Sequence, residues 1–346
     1  MHNRKKIAIL FCFEKNCGGE SIAIDSIIAE FNSNRDFNTY AYTGKSLIST
    51  NFFQFVKWII SSIANFFLQF KKIKEKCLTY TTTYTAACAA IPYIITRKTK
   101  VVFHYHGNRV PDYPINLRGL KFYSQFTKYL LAYFLQNLAF FSSDLIITPS
   151  SESRDFINDK YLFLSKRKII IIPNGYDQNK FYPIPRKLKK SIKKSFMIPV
   201  KHKVLLYCGR LEPKKNIEKL VNFVVKYNKK TDIHCIIAHN KPENFTESKY
   251  AEKLYNIIKK NHLSSLITTI EDAYSKYPPA HIYGLADCVI SFSKIEVMSL
   301  VKLESIACGV DYVSPLCMKK CDDATHAASW KEVADMLSTI LKKLNR

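Results

Sequence analysis

Residues 203–220, KVLLYCGRLEPKKNIEKL, decide the fold of this 346-residue chain. The apolar run VLLYC is short and continuous, which is typical of a strand that is buried on both faces. Gly209 ends that run, and apolar residues then recur with helical spacing over residues 216–227. A strand, a tight turn and a helix in this order make one unit of a parallel sheet that is covered by helices.

The same alternation of strand and helix extends in both directions from this stretch. It forms two successive series, so the sequence predicts an α/β protein with two Rossmann-like, doubly wound parallel-sheet domains. Strands are expected at 6–13, 100–107, 144–150, 168–175, 203–210, 232–239, 267–272 and 286–293, and helices at 20–32, 51–70, 120–142, 216–227, 247–261 and 300–308.

The boundary between the two series lies at residues 176–202. Three prolines and a run of basic residues interrupt the apolar pattern there. A chain of this length has room for two domains of ordinary size. We therefore expect a first domain at residues 1–175, a basic linker at 176–202 and a second domain at 203–346.

The chain is strongly basic, with 53 Lys and Arg against 28 Asp and Glu and a net charge of +25. Such a surplus suits nucleic acid, anionic lipid or phosphorylated substrates. The basic residues are dispersed over both halves, and the sequence contains no helix-turn-helix, RNP-like or zinc motif. The charge alone therefore does not identify a partner, and we expect no nucleic-acid partner.

Ten cysteines raise the question of disulfides or a metal. Most of them lie inside apolar runs, where cysteine behaves as a small core residue. Cys317 and Cys321 are close together, but no second pair or histidine cluster accompanies them, so we expect no metal site. The opening residues lack the pattern of a cleaved leader. We interpret the cysteines as reduced and expect a cytoplasmic protein.

The most apolar stretch, NFFQFVKWIISSIANFFLQF at residues 51–70, is too interrupted to cross a bilayer. Polar residues recur in it every three or four positions, which predicts a helix with one narrow polar stripe. The basic residues KKIKEK follow at 71–76. Two interpretations remain open: a core helix with one exposed edge, or a helix lying in the plane of an anionic membrane.

Two pairs of charged residues suggest chemistry. Arg210 and Lys215 follow Gly209 at a strand end, where a guanidinium and an ammonium could bind a diphosphate. Glu296 and Glu304 are separated by seven residues, and Glu304 lies in a predicted helix with Glu296 in the loop before it. Taken alone, the first pair could be surface cations beside a turn, and the second could be solvated glutamates.

Three segments in the right order resemble the retaining group 1 glycosyltransferases (family 4): KIIIIPNGYDQNKFYP at 168–183, VLLYCGRLEPKKNIEKLV at 204–221, and ADCVISFSKIEVMSLVKLESIACGV at 286–310. The resemblance runs from about residue 6 to residue 314. It implies a GT-B fold, in which two domains face each other across a cleft. It also implies transfer of a sugar from a nucleotide-diphosphate sugar to a saccharide, with no cofactor and no metal.

The resemblance also implies roles for single residues. Arg210 and Lys215 would bind the diphosphate of the donor, and Glu304 would bind its ribose. Glu296 would lie beside the donor sugar. His106 lies at the end of a predicted strand and would face the same sugar, with His104 as the alternative on that strand.

Backbone amides complete the implied site. Gly19, in the Gly18–Gly19 turn after the first strand, and Ser299 and Leu300, at the start of a predicted helix, would lie against the donor. The sequence departs from the family pattern here, because Val297 and Ser299 replace the two glycines of E-G-F-G-L. The region after Gly309 is also abbreviated.

The expected function is extension of a bacterial lipopolysaccharide, O-antigen or capsule glycan. The acceptor would be a saccharide or lipid-linked saccharide, bound by the first domain at the inner face of the cell membrane. Three alternatives remain: a transferase-like protein without activity, a basic protein that binds nucleic acid or a membrane surface, and another GT-B enzyme, such as a nucleotide-sugar epimerase or a phosphorylase.

Overall fold

The computed structural model describes residues 6–15, 19–45, 52–73, 76–107, 119–161, 169–228, 232–242, 245–293, 298–314 and 327–345. The chain divides into two compact units. Unit 1 comprises Met1–Asn174 together with Trp330–Arg346, and unit 2 comprises Gly175–Ser329.

Unit 1 contains a six-stranded sheet in the order β2-β1-β3-β4-β5-β6, in which all pairs are parallel. Its strands are β1 (Ile7–Lys15), β2 (Phe37–Lys45), β3 (Leu78–Thr81), β4 (Val101–His104), β5 (Leu145–Thr148) and β6 (Ile169–Ile171). The helices between them are α1 (Gly19–Ser33), α2 (Phe52–Lys71), α3 (Tyr84–Arg97), α4 (Gly119–Ser142) and α5 (Ser151–Lys160).

Unit 2 contains a five-stranded parallel sheet in the order β11-β10-β7-β8-β9. Its strands are β7 (Lys203–Cys208), β8 (Ile233–His239), β9 (Ile267–Glu271), β10 (Cys288–Ile290) and β11 (Asp311–Val313). Its helices are α6 (Arg186–Ser195), α7 (Ile217–Asn228), α8 (Phe245–Lys260), α9 (Ala273–Lys276), α10 (Pro279–Leu285) and α11 (Leu300–Ala307). The expected α/β class with two parallel-sheet domains is confirmed.

Strand β7 is buried on both faces, as the run VLLYC predicts. Leu206 and Cys208 belong to a core cluster that includes residues of α10, whereas Tyr207 belongs to a second cluster with residues of α7 and α8. Alternate side chains of a strand point to opposite faces, so one apolar run supplies both clusters.

Both sheets have a point at which the strand order reverses. In unit 2 the chain passes from β7 to β8 and β9 on one side, and then returns to the other side of β7 with β10 and β11. In unit 1 the corresponding reversal lies between β1 and β3. Open parallel sheets bind ligands at the carboxyl ends of the strands beside such a reversal. The topology therefore defines one candidate rim in each unit.

The segment at 176–202, which the sequence suggests as a linker, lies within unit 2. Its middle forms α6, and the apolar residues Phe181 and Ile198 belong to the core cluster of β7 and α10. Lys189 Nζ donates to Ala286 O at 2.6 Å and pairs with Asp287 Oδ1 at 3.0 Å. These contacts attach the basic segment to the second sheet.

The last helix, α12 (Trp330–Leu344), groups with unit 1, although the sequence-based boundaries assigned it to the second domain. It packs against α1 and buries Trp330, Val333 and Leu337. Lys342 Nζ also pairs with Asp36 Oδ2 of unit 1 at 2.5 Å. The helix presents an apolar face, but the sequence does not reveal which of the two sheets that face covers.

The structure of α2 decides only in part between the two interpretations of residues 51–70, a core helix and a membrane-surface helix. Phe55 and Phe66 are buried, so this helix does cover the sheet. Phe53, Ile60 and Leu68, however, are exposed on its outer side. In the described ranges, no helix is both long enough and apolar enough to cross a membrane.

Candidate active site

The loop after β7 begins with a backbone conformation that requires glycine. Gly209 has a φ of 137°, a region that side chains disfavour, and its N–H donates to Ala238 O of β8 at 3.2 Å. Tyr207 Oη then donates to Arg210 O at 2.7 Å. A 3-10 turn at Pro213–Lys215 leads into α7 through Asn216, which is in the left-handed region. The loop is therefore fixed before it reaches Lys215.

Arg210 lies in a cluster of opposite charges. Its guanidinium contacts Glu212 Oε1 at 2.8 Å and Glu247 Oε1 of α8 at 3.6 Å, and Glu212 also pairs with Lys214 at 2.7 Å. The Glu247 side chain is almost fully buried, whereas 31% of the Arg210 side chain is exposed. Two carboxylates thus hold a guanidinium that still reaches solvent. A guanidinium has five donors, so this geometry leaves capacity for an incoming anion.

The segment before α11 forms the other side of the candidate rim in unit 2, opposite the loop after β7. Ser299 is the N-cap residue of α11, and its Oγ accepts the backbone N–H of Lys302 at 3.4 Å. Leu300 is the first helical residue. Ser299 has a φ of −72°, an ordinary value, so this position does not require the glycine that the family pattern has there. Glu296 and Val297 lie outside the described residues.

Glu304 lies on α11 beside a group of buried hydroxyls. Tyr283 Oη donates to Glu304 Oε2, and Tyr274 Oη donates to Tyr283 Oη at 3.4 Å. Burial raises the pKa of the Glu304 carboxyl to about 7, and the hydrogen bond from Tyr283 opposes that rise in pKa. A carboxyl group with this pKa changes its protonation near neutral pH.

The two sides of this rim follow neighbouring strands, β7 and β10, and a hydrogen bond joins them. β7 and β10 pair in parallel, so their carboxyl ends lie at the same edge of the sheet. Asn216 Nδ2, at the end of the first loop, donates to Phe292 O, just after β10, at 3.2 Å. The structure therefore brings Arg210 and Lys215 to the same rim as Ser299, Leu300 and Glu304.

The candidate residues of unit 1 lie at its own sheet rim. Gly19 is the first residue of α1 and is exposed, after the undescribed residues 16–18. His106 follows β4 and is half-buried, whereas His104 is fully buried. Their ring centroids are 3.9 Å apart, with the ring planes tilted by 33°. The placement agrees with the expectation that His104 lies one layer deeper.

The deeper histidine is held by a tyrosine. His104 Nδ1 and Tyr80 Oη are 2.5 Å apart, and both side chains are buried. Burial and, second, the neighbouring His106 lower the pKa of His104 well below its usual range. His104 is therefore neutral at physiological pH, and its buried ring packs against the ring of His106.

Models of known families match parts of both units. A model of "Glycosyltransferase Family 4" matches residues 37–180, and a model of "Glycosyl transferases group 1" matches residues 189–314. The two matches follow each other along the chain and cover strands β2 to β6 of the first sheet and all five strands of the second. The chain belongs to the group 1 glycosyltransferases. Arg210, Lys215, Ser299, Leu300 and Glu304 all lie within the second matched region.

Curated relatives of this glycosyltransferase include two synthases of disaccharide phosphates. Mannosylfructose-phosphate synthase of Agrobacterium fabrum is 27% identical over 177 residues, and a probable sucrose-phosphate synthase of Thermosipho melanesiensis is 28% identical over 182 residues. Each match spans 50% of this chain but only 37% and 39%, respectively, of the relative. The matched region is thus less than two fifths of either relative.

Solved structures with the GT-B fold are similar to this glycosyltransferase over nearly its whole length. Sucrose-phosphate synthase from Thermosynechococcus elongatus has a TM-score of 0.66 at 14% identity, covering 98% of this chain and 90% of that one. Anabaena HepE in complex with UDP-glucose has a TM-score of 0.61 at 16% identity, covering 98% and 91%. These similarities establish the GT-B fold of this chain.

Three residues in contact with candidate side chains were not anticipated from the sequence: Glu247 and Tyr283 in unit 2, and Tyr80 in unit 1. Glu247 lies in the first turn of α8, where an acidic residue also favours the helix dipole, so its position alone gave no functional signal. Tyr283 and Tyr80 contact Glu304 and His104, respectively, only because the sheets bring distant segments together.

Proposed function

We propose that this glycosyltransferase moves a sugar from a nucleotide-diphosphate sugar to a saccharide acceptor, with retention of configuration and without a metal or other cofactor. The bond between the anomeric carbon and the diphosphate breaks, and a bond to an acceptor oxygen forms on the same face of the sugar. The acceptor hydroxyl gives its proton to the departing diphosphate, which leaves as the nucleoside diphosphate. The observation that carries this proposal is the shared rim of Arg210 and Glu304 at the reversal point of unit 2.

The leaving diphosphate needs positive charge that is already in place. Arg210 and Lys215 would supply it, as a guanidinium and an ammonium held at the end of β7. The N–H groups of Ser299 and Leu300 at the start of α11 would add backbone donors. Fixed donors of this kind stabilise the charge that develops as the bond to the sugar breaks. These side chains would perform the role that a metal ion has in other sugar transferases.

The nucleoside and the sugar would be bound by carboxylates and by histidine. Glu304, with Tyr283 orienting one of its oxygens, would accept hydrogen bonds from the ribose hydroxyls. Glu296 and His106 would lie beside the donor sugar. Support for a nucleotide-sugar donor comes from HepE, whose solved complexes contain UDP-glucose or UDP. The identity of the donor for this chain is part of the proposal.

For the acceptor we propose a growing bacterial surface glycan, such as lipopolysaccharide, O-antigen or capsule, bound by unit 1 at the cytoplasmic face of the membrane. The outer side of α2 supports this location. Phe53 is 83% exposed and Ile60 and Leu68 are also exposed, with Lys57 and Lys71 on the same helix. Apolar side chains flanked by cations favour a helix that lies on an anionic surface.

The curated relatives favour a second acceptor class. Both are named as synthases of a disaccharide phosphate, so a phosphorylated monosaccharide is the alternative acceptor. The high positive charge of this chain suits that substrate as well.

A donor and acceptor panel tests the proposal. The purified chain is incubated with UDP-, GDP- and ADP-sugars, each with a lipid-linked saccharide or with hexose phosphates, and release of the nucleoside diphosphate is measured. We expect release with one nucleotide, unaffected by a chelator, and an α-linked product from an α-linked donor, as read from its anomeric proton resonance. No release with any donor, or an inverted product, would contradict the proposal.

A further inference from the structure

The basic residues of α6 divide into two groups with different roles. Lys189 and Lys193 point into unit 2, where Lys193 Nζ donates to His202 O at 2.7 Å and both lysines pair with Asp287. These two lysines attach the helix to the sheet. Their role in the fold is therefore structural.

The other four cations of α6 are exposed: Arg186, Lys187, Lys190 and Lys194. Arg186, Lys190 and Lys194 recur every four positions, and Lys187 lies three residues before Lys190, so the four follow one face of the helix. Among the described residues none of them makes an ion pair, and no acidic residue occurs between residues 178 and 203. The fold thus places four uncompensated positive charges side by side.

The turn after α6 places an apolar side chain beside these charges, and this placement lowers folding stability. Met197 N–H donates to Lys194 O at 3.0 Å, and Ile198 N–H donates to Lys193 O at 2.9 Å, which closes the helix. Met197 occupies the position where glycine is usual, with a φ of 55°. Its side chain is also 90% exposed. Methionine at this position costs folding stability twice, through its backbone and through its exposed surface.

The same turn forms one side of an open groove of about 570 Å3. Lys190 and Lys194 line it from the helix, and the segment from Met197 to Val200 lines it from the turn. Val200 is 63% exposed. The groove therefore combines cations with a protruding apolar edge.

We propose that the exposed face of α6 and the turn at residues 197–200, together called the α6 surface, dock on a layer of anionic phospholipids. The cations would contact the lipid phosphates, and Met197 and Val200 would enter the boundary between headgroups and acyl chains. This combination fits a lipid layer better than it fits nucleic acid, which offers charge but no apolar layer to receive the two side chains. The inference rests on the membrane location in the proposed function, and it adds a contact from unit 2 to the one proposed for α2.

The first test is co-sedimentation of the whole chain with vesicles of phosphatidylcholine, with or without phosphatidylglycerol. Lys190→Gln/Lys194→Gln is compared with Lys259→Gln/Lys260→Gln, which removes the same charge from exposed positions of α8. Each cation near an anionic surface contributes to the free energy of binding, so we expect a ~10-fold or greater loss of vesicle binding for the α6 variant. The α8 variant should bind anionic vesicles like the unaltered chain. Equal binding by all three proteins would overturn the inference.

A second variant separates docking from folding. Met197→Gly removes the strained, exposed side chain, so its thermal midpoint should rise while its binding to anionic vesicles falls by several-fold. A higher midpoint with unchanged vesicle binding would show that Met197 has no docking role, and would overturn the inference for the turn. Circular dichroism of each variant confirms that it is folded before the comparison is made.

Two further arms distinguish this inference from the proposed function. Phe53→Ser/Ile60→Ser/Leu68→Ser is tested in parallel: loss of binding in this α2 variant alone would leave the membrane location intact and overturn the role of the α6 surface. Binding to single-stranded RNA, with none to anionic vesicles, would overturn the inference in favour of a nucleic-acid partner. The donor panel is independent of both arms.

Discussion

Both sheet rims lie beside a reversal of strand order, but they differ in chemistry. At the β7–β10 rim of unit 2, the described residues include the cations Arg210, Lys214 and Lys215, all at least partly exposed. At the β1–β3 rim of unit 1, the described residues include a buried carboxylate and buried hydroxyls, among them Glu14, Thr83 and Thr85. Thr85 Oγ1 donates to Glu14 Oε1 at 3.0 Å, and Thr83 Oγ1 lies 3.1 Å from Thr85 Oγ1.

This difference shows how much the fold decides and how much the side chains decide. A reversal in strand order locates a binding rim in each unit, whatever residues occupy it. The residue types then determine the class of ligand. Cations suit a diphosphate, and neutral hydroxyls suit a polyol such as a sugar. The comparison predicts that substitutions in unit 2 change nucleotide recognition, whereas substitutions at the unit 1 rim do not.

The largest effect is expected for Arg210→Ala. Removing one charge-assisted contact to a developing charge costs about 2–4 kcal/mol of transition-state stabilisation. Turnover should therefore fall at least ~100-fold. Lys219→Ala is the control, because Lys219 is an exposed cation on the neighbouring α7. Steady-state rates with the preferred donor give the measurement, and unaltered turnover in Arg210→Ala would contradict the assignment.

The next effect concerns the stability of unit 1. Thr85→Val deletes the hydroxyl that donates to the buried Glu14 carboxylate, and a buried group that loses a partner costs about 1–3 kcal/mol. We expect a lower midpoint in urea unfolding with unchanged affinity for nucleoside diphosphates. Thr127→Val, at an exposed position of α4, controls for the change in side-chain type. A loss of nucleotide affinity in Thr85→Val would break the division of roles between the two rims.

Glu304→Gln should act on donor binding. The substitution preserves shape but removes the charge that strengthens the hydrogen bonds to the ribose hydroxyls, each worth about 1.5–3 kcal/mol when charged. The donor KM should rise ~10-fold, with a smaller change in kcat. Kinetics at saturating acceptor provide the test. A variant that loses kcat at unchanged KM would place Glu304 at the reacting sugar instead.

The smallest effect is a shift in pH dependence. Burial raises the pKa of Glu304 to about 7, so the carboxyl becomes neutral as the pH falls through that value, and the donor KM should rise. The hydrogen bond from Tyr283 lowers the pKa of Glu304, so Tyr283→Phe should move the inflection to higher pH. Profiles of kcat/KM against pH show the inflection. An inflection that moves to lower pH, or stays in place, would contradict this role for Tyr283.

Local patterns were sufficient for the parts of the fold that are apolar throughout. The run VLLYC predicts β7, and Gly209 after it predicts the turn before Arg210. Neither β3 nor α3 was predicted, because the segment TYTTTYT at 79–85, where the two meet, has polar residues at almost every position. Its threonines are buried. Thr81 Oγ1 donates to Val102 O of β4 at 3.4 Å, and Thr83 Oγ1 accepts the N–H of Ala86 at the start of α3. Only the assembled sheet provides the partner of Thr81.

The sequence also does not reveal which side chains of an apolar helix are buried. Both Phe53 and Phe55 lie in one run of α2, yet Phe53 is exposed and Phe55 is buried. Sequence spacing gives the periodicity of such a helix but not which part of a broad apolar surface meets the sheet. The contact of Arg210 with Glu247 also joins the loop after β7 to α8 and could not be inferred from motif spacing.

Calorimetric titration with UDP, GDP and ADP tests most directly whether the β7–β10 rim binds a nucleoside diphosphate. We expect that one of them binds at a single site, that Arg210→Ala weakens its affinity ~10-fold or more, and that His106→Ala in unit 1 leaves the affinity unchanged. Absence of binding by all three, or equal affinity in the Arg210→Ala variant, would contradict the assignment of this rim to a nucleoside diphosphate.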